Sequence, residues 1–496
     1  MANTEIARWL LAAGVGLATP AMAVDPALHH HPAFAPAFDL VVVNEDDIAG
    51  LGVTEIRDLG AKRDANAAPG DLWVRMRGGF GIASLDSPIV VERQAWYAQR
   101  PQQISILVER SRRYLFHIVD ELEKRGMPSE LALLPMVESA FNPMAYSRAH
   151  ASGLWQFIPS TGRNYNLAQN WWYDARRDIV ASTTAALDYL QSLYEMFGDW
   201  HLALAAYNMG ENGVARALER NRAKGLPASY QALQMPNETR RYVPSLLALK
   251  NIIANPAAFG IELDPVANAP YFVTVTLTRD IDLKLVAKLA DMPEEEFVAL
   301  NPGHNRPVLS SAATPQIVLP ADRAEVFVRN LASHATALSS WQVYTFKRGD
   351  RLEKLASDRG VSVERLRAAN GLSAKSNVAE GQQLLVPDKG SAAAKEALPP
   401  VFAPPASASG RVVSYTVRQD DTLSKIARAV GAKVAEVRAA NGGLEHLAVG
   451  SALSISILAD PPRRAARSAK PVTKSTTRAT AKTQKSVPAR PSRSSN

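Results

Sequence analysis

Glu138 stands in the run LALLPMVESAFNP, behind a stretch of apolar residues. Three later pieces of chain carry the residue types that carboxylate chemistry would use. They are Gly153-Leu154-Trp155-Gln156 in ASGLWQFIPSTG, Ala206-Tyr207-Asn208 in LALAAYNMGENG, and Glu238-Thr239 with Tyr242-Val243 in NETRRYVPSLL. A carboxyl group among apolar neighbours loses hydration of its charged form, so its pKa rises toward neutrality, as a general acid requires. No second carboxylate stands out as a partner, which narrows the chemistry. Asp174 and Asp178 in WWYDARRD are the candidates for one, but helix capping and pairing with the adjacent arginines explain them better. Each candidate also has a plainer reading. Glu138 fits an exposed helix position, Tyr207 and Asn208 fit a helix end before Gly210, and Glu238 fits an ion pair with Arg240 or Arg241.

The elements that must position these residues read as helices over 102–255. ISILVERSRRYLFHIVDELEKRG places Ile104, Leu107, Val108, Leu115, Ile118, Val119 and Leu122 at helical spacing, with Gly126 and Pro128 ending the run. A second helix is expected to start near Pro128, kink at Pro135, run past Glu138 and stop at Pro143. RDIVASTTAALDYLQSLYEMFG is an amphipathic helix closed by Gly198, and WHLALAAYNMG and RRYVPSLLALKNIIAN supply two more. Period-2 alternation is missing from this stretch, so a compact, mainly α domain is expected. Residues 24–70, rich in Ala, Pro and Asp, read as poorly ordered, and 71–99 as irregular chain leading inward. His29, His30 and His31 invite a metal reading, but with Pro32 next and no acidic or Cys ligand nearby a flexible start is favoured.

With 496 residues the chain exceeds one ordinary core. It has no cysteine, which excludes disulfides, thiolate metal sites, a cysteine nucleophile and a lipid-modified N-terminal cysteine. No metal or cofactor is called for. MANTEIARWLLAAGVGLATPAMAVDPA has Arg8, an apolar core from Trp9 to Ala18, and small residues at Ala21 and Ala23. It reads as a secretory signal cleaved after Ala23, the alternative being an uncleaved anchor. No later segment approaches the roughly 20 apolar residues of a spanning helix. An exported protein without a transmembrane segment is therefore expected. Of the net charge of +8, ten basic residues and no acid lie in 461–496, which leaves −2 on the remainder. That Ser-, Thr-, Pro- and Ala-rich tail cannot bury enough apolar surface to fold. It lacks aromatics, so attraction to an acidic envelope polymer fits better than nucleic acid; a merely solvated tail is the plainer reading.

Beyond 270 the chain repeats itself. VYTFKRGDRLEKLASDRGVSVERLRAANGL aligns with SYTVRQDDTLSKIARAVGAKVAEVRAANGG at a constant offset of 71 residues, matching Tyr344 with Tyr415, Leu352 with Leu423 and Asn370 with Asn441. Each copy ends in a strand-like run, so each reads as strand, helix, helix, strand. A fainter copy lies at 271–320, where Leu283, Ala287, Phe297 and Asn301 align 69 residues before Leu352, Ala356, Leu366 and Asn370. SAAAKEALPPVFAPPASAS between the last two copies reads as a semi-rigid linker.

The motifs ES, GLxQ, AYN and ET…YV, in that order over about 150 residues, resemble the soluble-type lytic transglycosylase domain, which has a lysozyme-like fold. The repeats resemble LysM modules, which bind N-acetylglucosamine-containing glycans, so the combination resembles a lytic murein transglycosylase. The resemblance implies an α+β multidomain protein, with a mainly α lysozyme-like catalytic domain followed by small βααβ LysM modules. The expected partition is a signal peptide at 1–23, an extension at 24–99, the catalytic domain at 100–256 and a degenerate LysM-like module at 268–322. LysM modules at 341–388 and 412–458 flank a linker at 389–411, and a basic tail fills 459–496. By resemblance Glu138 is the single catalytic glutamate. Ser147, Gln156, Tyr207, Asn208, Glu238 and Tyr242 line its site. In the repeats Gly349, Asp350, Asn370, Asp421, Thr422 and Asn441 are the implied glycan contacts. Gly349-Asp350 and Asp421-Thr422 fit helix caps equally well. Arg351 stands where Thr is usual, and the 271–320 copy lacks the turn motif.

The same resemblance explains the single carboxylate. A glycosidase that uses water needs two. In a lytic transglycosylase the acid protonates the bridging oxygen between N-acetylmuramic acid and N-acetylglucosamine. It then deprotonates the muramoyl C6 hydroxyl, which closes a 1,6-anhydro ring. The expected partner is thus the peptidoglycan glycan strand, in the periplasm or cell envelope. A lysozyme-like hydrolase and a non-catalytic wall-binding scaffold are the alternatives. Internal versus terminal cleavage, stem-peptide preference and oligomeric state stay open.

Overall fold

A computed structural model describes residues 53–58, 70–147, 149–373, 377–391, 398, 411–430, 434, 437, 449 and 452–457. The expected signal segment, the His29–His31 run, Asn441 and the basic tail lie outside them.

The helical part begins earlier than the composition suggests. Residues expected to be irregular form α1 (Leu72–Gly78) and α2 (Pro88–Ala98). Asp71 caps the first by accepting from the Trp73 amide at 3.2 Å, and Ser87 caps the second from Ile89 at 3.3 Å. Leu72, Trp73, Met76, Val90 and Tyr97 bury into the same core as the later helices.

The expected single helix over 104–126 is two, α3 (Pro101–Ser111) and α4 (Leu115–Lys124). Ser111 turns its hydroxyl back onto the Val108 carbonyl at 2.7 Å, and Tyr114 reaches the Ala299 carbonyl at 2.9 Å. One local and one tertiary side-chain bond thus flank the break at the polar SRR run. The core continues through α5 (Leu134–Glu138), α6 (Pro159–Asn164), α7 (Ile179–Phe197), α8 (Trp200–Met209), α9 (Glu211–Ala223) and α10 (Asn237–Ala254). α8 is buried from His201 to Ala206 and packs against α7, α9 and α10. Asp178 caps α7 from the Ala181 amide at 2.6 Å, and Gly198 closes it in the left-handed region at φ 65°.

β1 (Val53–Asp58) lies within the stretch expected to be poorly ordered. It pairs antiparallel with β2 (Phe272–Leu277), Asp58 opposite Val273, and β2 pairs with β5 (Gln316–Pro320), giving the order β1-β2-β5. Around this sheet lie β3 (Ile281–Asp282), α11 (Leu283–Leu289), α12 (Glu294–Leu300), β4 (Val308–Leu309) and α13 (Ala321–Ala332). The next module is β6 (Trp341–Thr345), α14 (Leu352–Asp358), α15 (Val363–Ala369) and β7 (Gln383–Pro387), with β6 and β7 antiparallel. The last contains β8 (Arg411–Thr416), α16 (Leu423–Val430) and β9 (Ala452–Ile457), again an antiparallel pair. Among the described residues no helix is long and apolar enough to cross a membrane.

Candidate active site

The segment that presents Glu138 is shorter and more tightly turned than expected. A 3₁₀ turn at Ser129–Leu133 passes into α5, with Pro135 in its first turn, where a missing amide costs nothing. Glu138 is the last helical residue, so the helix ends at it rather than running past. Ala140 and Phe141 follow at φ 51° and 52°, a left-handed bend that costs roughly 1–2 kcal/mol per non-glycine residue. Burial of Phe141, stacked on Tyr114 at 6.2 Å, offsets that cost. The turn leaves Glu138 half-buried at the end of its helix, reachable from outside yet surrounded by protein.

Tyr242, a buried residue of α10, donates its hydroxyl to Glu138 Oε1. Burial pushes the Glu138 carboxyl up to about 7; the Tyr242 hydrogen bond opposes the rise, and the nearby Glu238 charge adds to it. Burial and then the Glu138 charge push the Tyr207 and Tyr242 hydroxyls well above their ordinary range, so both stay protonated donors at neutral pH. Glu138 is therefore poised between its acid and base forms with a neutral donor beside it.

The four motifs meet here. Ser139 donates to the Leu154 carbonyl at 2.9 Å, and Tyr207 donates to the Trp155 carbonyl at 2.9 Å. The buried Trp155 indole reaches Thr183 at 3.1 Å. Gly153 has φ 84°, and a Cβ there would lie 2.1 Å from the Arg176 carbonyl, so only glycine fits. Gln156, at φ 50°, donates to the Gly153 carbonyl at 2.8 Å, and the Ser147 hydroxyl accepts from the Ala151 amide at 3.0 Å. These two residues shape the 144–157 loop and carry its polar edge. Asn208, in the last turn of α8, accepts from the Thr239 hydroxyl at 2.7 Å, which joins AYN to ET. Glu238 is exposed in the first turn of α10. Arg240 donates to Asn237 at 2.8 Å and Arg241 to Glu92 at 2.7 Å.

Asp174 and Asp178 are committed elsewhere. Asp174 lies 2.7 Å from Arg176 and 3.0 Å from Arg177, and despite its burial these two cations hold its carboxyl below the usual range. Asp178 caps α7 and accepts from the Tyr173 hydroxyl. Among the described residues no cluster of three His, Cys, Asp or Glu could hold a metal ion.

The repeats sort their candidates clearly. Asp350 accepts from Tyr344 Oη at 2.7 Å and the Lys347 amide at 2.8 Å; Asp421 repeats this with Tyr415 at 3.1 Å and Arg418 at 2.9 Å. Both aspartates lock the strand–helix turn, and Thr422 caps α16 through the Lys425 amide at 3.2 Å. The exposed Gly349, at φ 86°, makes the first of these turns. Asn370 lies inside its module. It is 2% exposed, donates to the Leu366 and Leu385 carbonyls at 2.8 Å each, and accepts from the Leu385 amide at 2.6 Å. Both of its N–H groups and one lone pair of its oxygen are used inside the module, where it stitches helix to strand. Asn301 does the same in the earlier copy, with Val318 donating to it at 2.7 Å and its own amide donating to the Phe297 and Val318 carbonyls.

Sequence reasoning missed Ser139 and Thr239, which sit inside the motifs, and Tyr189. Tyr189 packs 5.4 Å from Tyr207 and donates to Glu211 at 3.0 Å. Nothing in its helical spacing marked it.

The Transglycosylase SLT domain family matches residues 117–227, and the family described as "Lytic transglycosylase MltD, LysM-like domain" matches 271–336. The LysM domain matches 344–387 and 415–456. The chain is 35% identical over 404 residues to membrane-bound lytic murein transglycosylase D of Escherichia coli strain K12, covering 79% of this chain and 86% of that one. The chain belongs to the lytic murein transglycosylase D family. Shorter likenesses are to membrane-bound lytic murein transglycosylase C of Glaesserella parasuis, 30% over 141 residues, covering 25% of this chain and 38% of that one. N-acetylmuramoyl-L-alanine amidase sle1 of Staphylococcus epidermidis matches at 32% over 115 residues, 23% of this chain and 33% of that one.

Proposed function

We propose that Glu138 is the single acid and base of the reaction. The enzyme is a peptidoglycan lytic transglycosylase, and the question is which groups carry the chemistry. The observation that supports Glu138 is its place at the meeting of the four motifs, with the Tyr242 hydroxyl donating to its carboxyl and burial pushing that carboxyl up to about 7. Protonated, it gives its proton to the oxygen bridging N-acetylmuramic acid and N-acetylglucosamine, and the C1–O bond breaks. The substrate's own acetamido group shares the positive charge at C1. Ionised, Glu138 then takes the proton of the muramoyl C6 hydroxyl as that oxygen bonds to C1, and the 1,6-anhydro ring closes. Water is not consumed. A nucleophile held within the same sugar gains a large effective concentration. Proton transfer by Glu138 supplies on the order of 10²–10⁴-fold.

In this reading Tyr242 aligns the carboxyl. Tyr207 holds the Trp155 carbonyl and with it the 144–157 loop. Ser147, Gln156 and Asn208 bond the sugar, and Glu238 raises the acid's pKa from the rim. The exposed turns at Gly349–Asp350 and Asp421–Thr422 take up glycan in the two LysM modules. The N-terminal segment to Ala23 directs export, and the catalytic unit extends from about Asp71 rather than residue 100. The test is Glu138→Gln with a folded-state control. Anhydro-muropeptide release falls by at least about 100-fold if the assignment holds; unchanged release overturns it.

A further inference from the structure

The module at 271–336 packs on the catalytic domain through Phe272, Leu300 and the Tyr114–Ala299 hydrogen bond, and a further loop, residues 302–306, meets WWYDARRD at several buried points. Arg177, 1% exposed, donates to the Pro302 carbonyl at 2.8 Å and to Asn305 Oδ1 at 2.5 Å. The Asp174 amide donates to the Gly303 carbonyl at 2.9 Å, and the Asn305 amide to the Trp172 carbonyl at 2.8 Å. His304 packs edge-on against Tyr173 at 4.9 Å. A Cβ on Gly303 would lie 2.5 Å from the Tyr173 ring, so the loop backbone lies directly against that ring. These contacts reach the active site within a few bonds. Asp174 bridges Arg177 to Arg176, and Arg176 donates to the His150 carbonyl at 2.6 Å and the Phe157 carbonyl at 3.1 Å. Those carbonyls bracket Gly153-Leu154-Trp155-Gln156, whose Trp155 carbonyl is held by Tyr207.

We infer that the 302–306 loop is a positioning element of the catalytic site, acting through Arg177, Asp174 and Arg176 on the loop that lines the reacting sugar. The module is then part of the enzyme's working geometry, whether or not it also binds glycan. Physical sense supports this. Burial lowers the Arg177 pKa to about 10, a buried cation that needs the acceptors of 302–305. Removing one acceptor lets the guanidinium swing, and Asp174 and Arg176 follow it. A shift near 1 Å in a group lining the reacting centre can cost up to about 100-fold in rate.

This rests on Glu138 and the 144–157 loop being the reacting site. The test measures kcat and KM per folded molecule of the full chain on short soluble glycan chains, beside melting temperature, for three variants. Asn305→Ala removes one of the acceptors of Arg177, Asn305→Asp keeps that acceptor while giving up the donation to the Asn170 carbonyl, and Gly303→Ala wedges the loop off Tyr173. Expected is a kcat lowered about tenfold in Asn305→Ala and Gly303→Ala, with KM within about twofold and most of the rate restored in Asn305→Asp. An unchanged kcat per folded molecule, even with a lowered melting temperature, or a change in KM alone, overturns the inference. An inactive Glu138→Gln beside a fully active Asn305→Ala would leave the acid–base assignment standing and remove this one.

Discussion

Glu138 and Asp174 are two carboxylates of one helical domain, each enclosed by protein, and burial is the largest influence raising the pKa of both. They end on opposite sides of the ordinary value. Burial lifts the Glu138 carboxyl to about 7, the hydrogen bond from the neutral Tyr242 hydroxyl only partly opposes the rise, and the Glu238 charge adds to it. Asp174 has two arginines within 3.0 Å, and its carboxyl falls. Enclosure alone does not make a general acid; the charge of the neighbour decides. The first carboxylate holds a proton it can give away, whereas the second is an anchor that fixes two cations and the loops they grip.

The widest split between the two comes from neutralising each. Glu138→Gln should lower turnover by on the order of 10³-fold while the fold persists, measured as muropeptide release beside circular dichroism. Asp174→Asn should act the other way round. It leaves two buried arginines short of their counter-charge and should cost about 3–5 kcal/mol of stability in denaturant unfolding, with kcat per folded molecule about tenfold lower as Arg176 loosens its grip on the 150–157 loop. Equal stability losses in the two variants would erase the distinction.

A subtler contrast lies in pH. The folded Glu138 keeps its proton to about 7, whereas the unfolded chain releases it near 4.5. Folding therefore binds protons, and Glu138 weakens the fold as pH rises from 4.5 through 7. Glu138→Gln should be more stable than the native chain by roughly 2 kcal/mol above that window, after allowance for solvent at the half-buried carboxyl, and by little below it. Asp174 has the reverse sign: its stabilisation is present at neutral pH and lost as pH falls through its depressed pKa. Smaller still is Tyr242→Phe. Loss of its hydrogen bond should raise the Glu138 pKa further, moving the alkaline limb of kcat/KM to higher pH, with turnover about tenfold lower from poorer alignment. A limb moving to lower pH would contradict the reading. Deleting 412–496 touches neither carboxylate. It should weaken binding to intact sacculi at least roughly tenfold and leave kcat on short soluble chains unchanged.

Much of this site was legible in the residue order because its chemistry is carried by short local patterns. ES, GLxQ, AYN and ET…YV each place a polar group at the end of a helix or in a tight loop, and all four converge. What the pattern hid is tertiary. Helical spacing ran straight through Arg112–Tyr114, because nothing in the period shows that Ser111 and Tyr114 spend their hydroxyls on carbonyls at a break in the helix. Asn370 aligned with Asn301 and looked functional; both side chains are buried and join helix to strand. β1 carries no strong strand signal by itself, since its partner strand lies more than two hundred residues on. Tyr189 was invisible for the same reason. The coupling of 302–306 to the catalytic loop depends on WWYDARRD, whose arginines were legible as partners of Asp174 but not as a bridge between modules.

The central claim is that one carboxylate suffices because the nucleophile belongs to the substrate. Mass spectrometry of the muropeptides released by the native enzyme from purified sacculi tests it most directly. The released strands should carry 1,6-anhydromuramoyl ends, lighter by one water than the hydrolytic product. Reducing N-acetylmuramic acid ends in their place would contradict it.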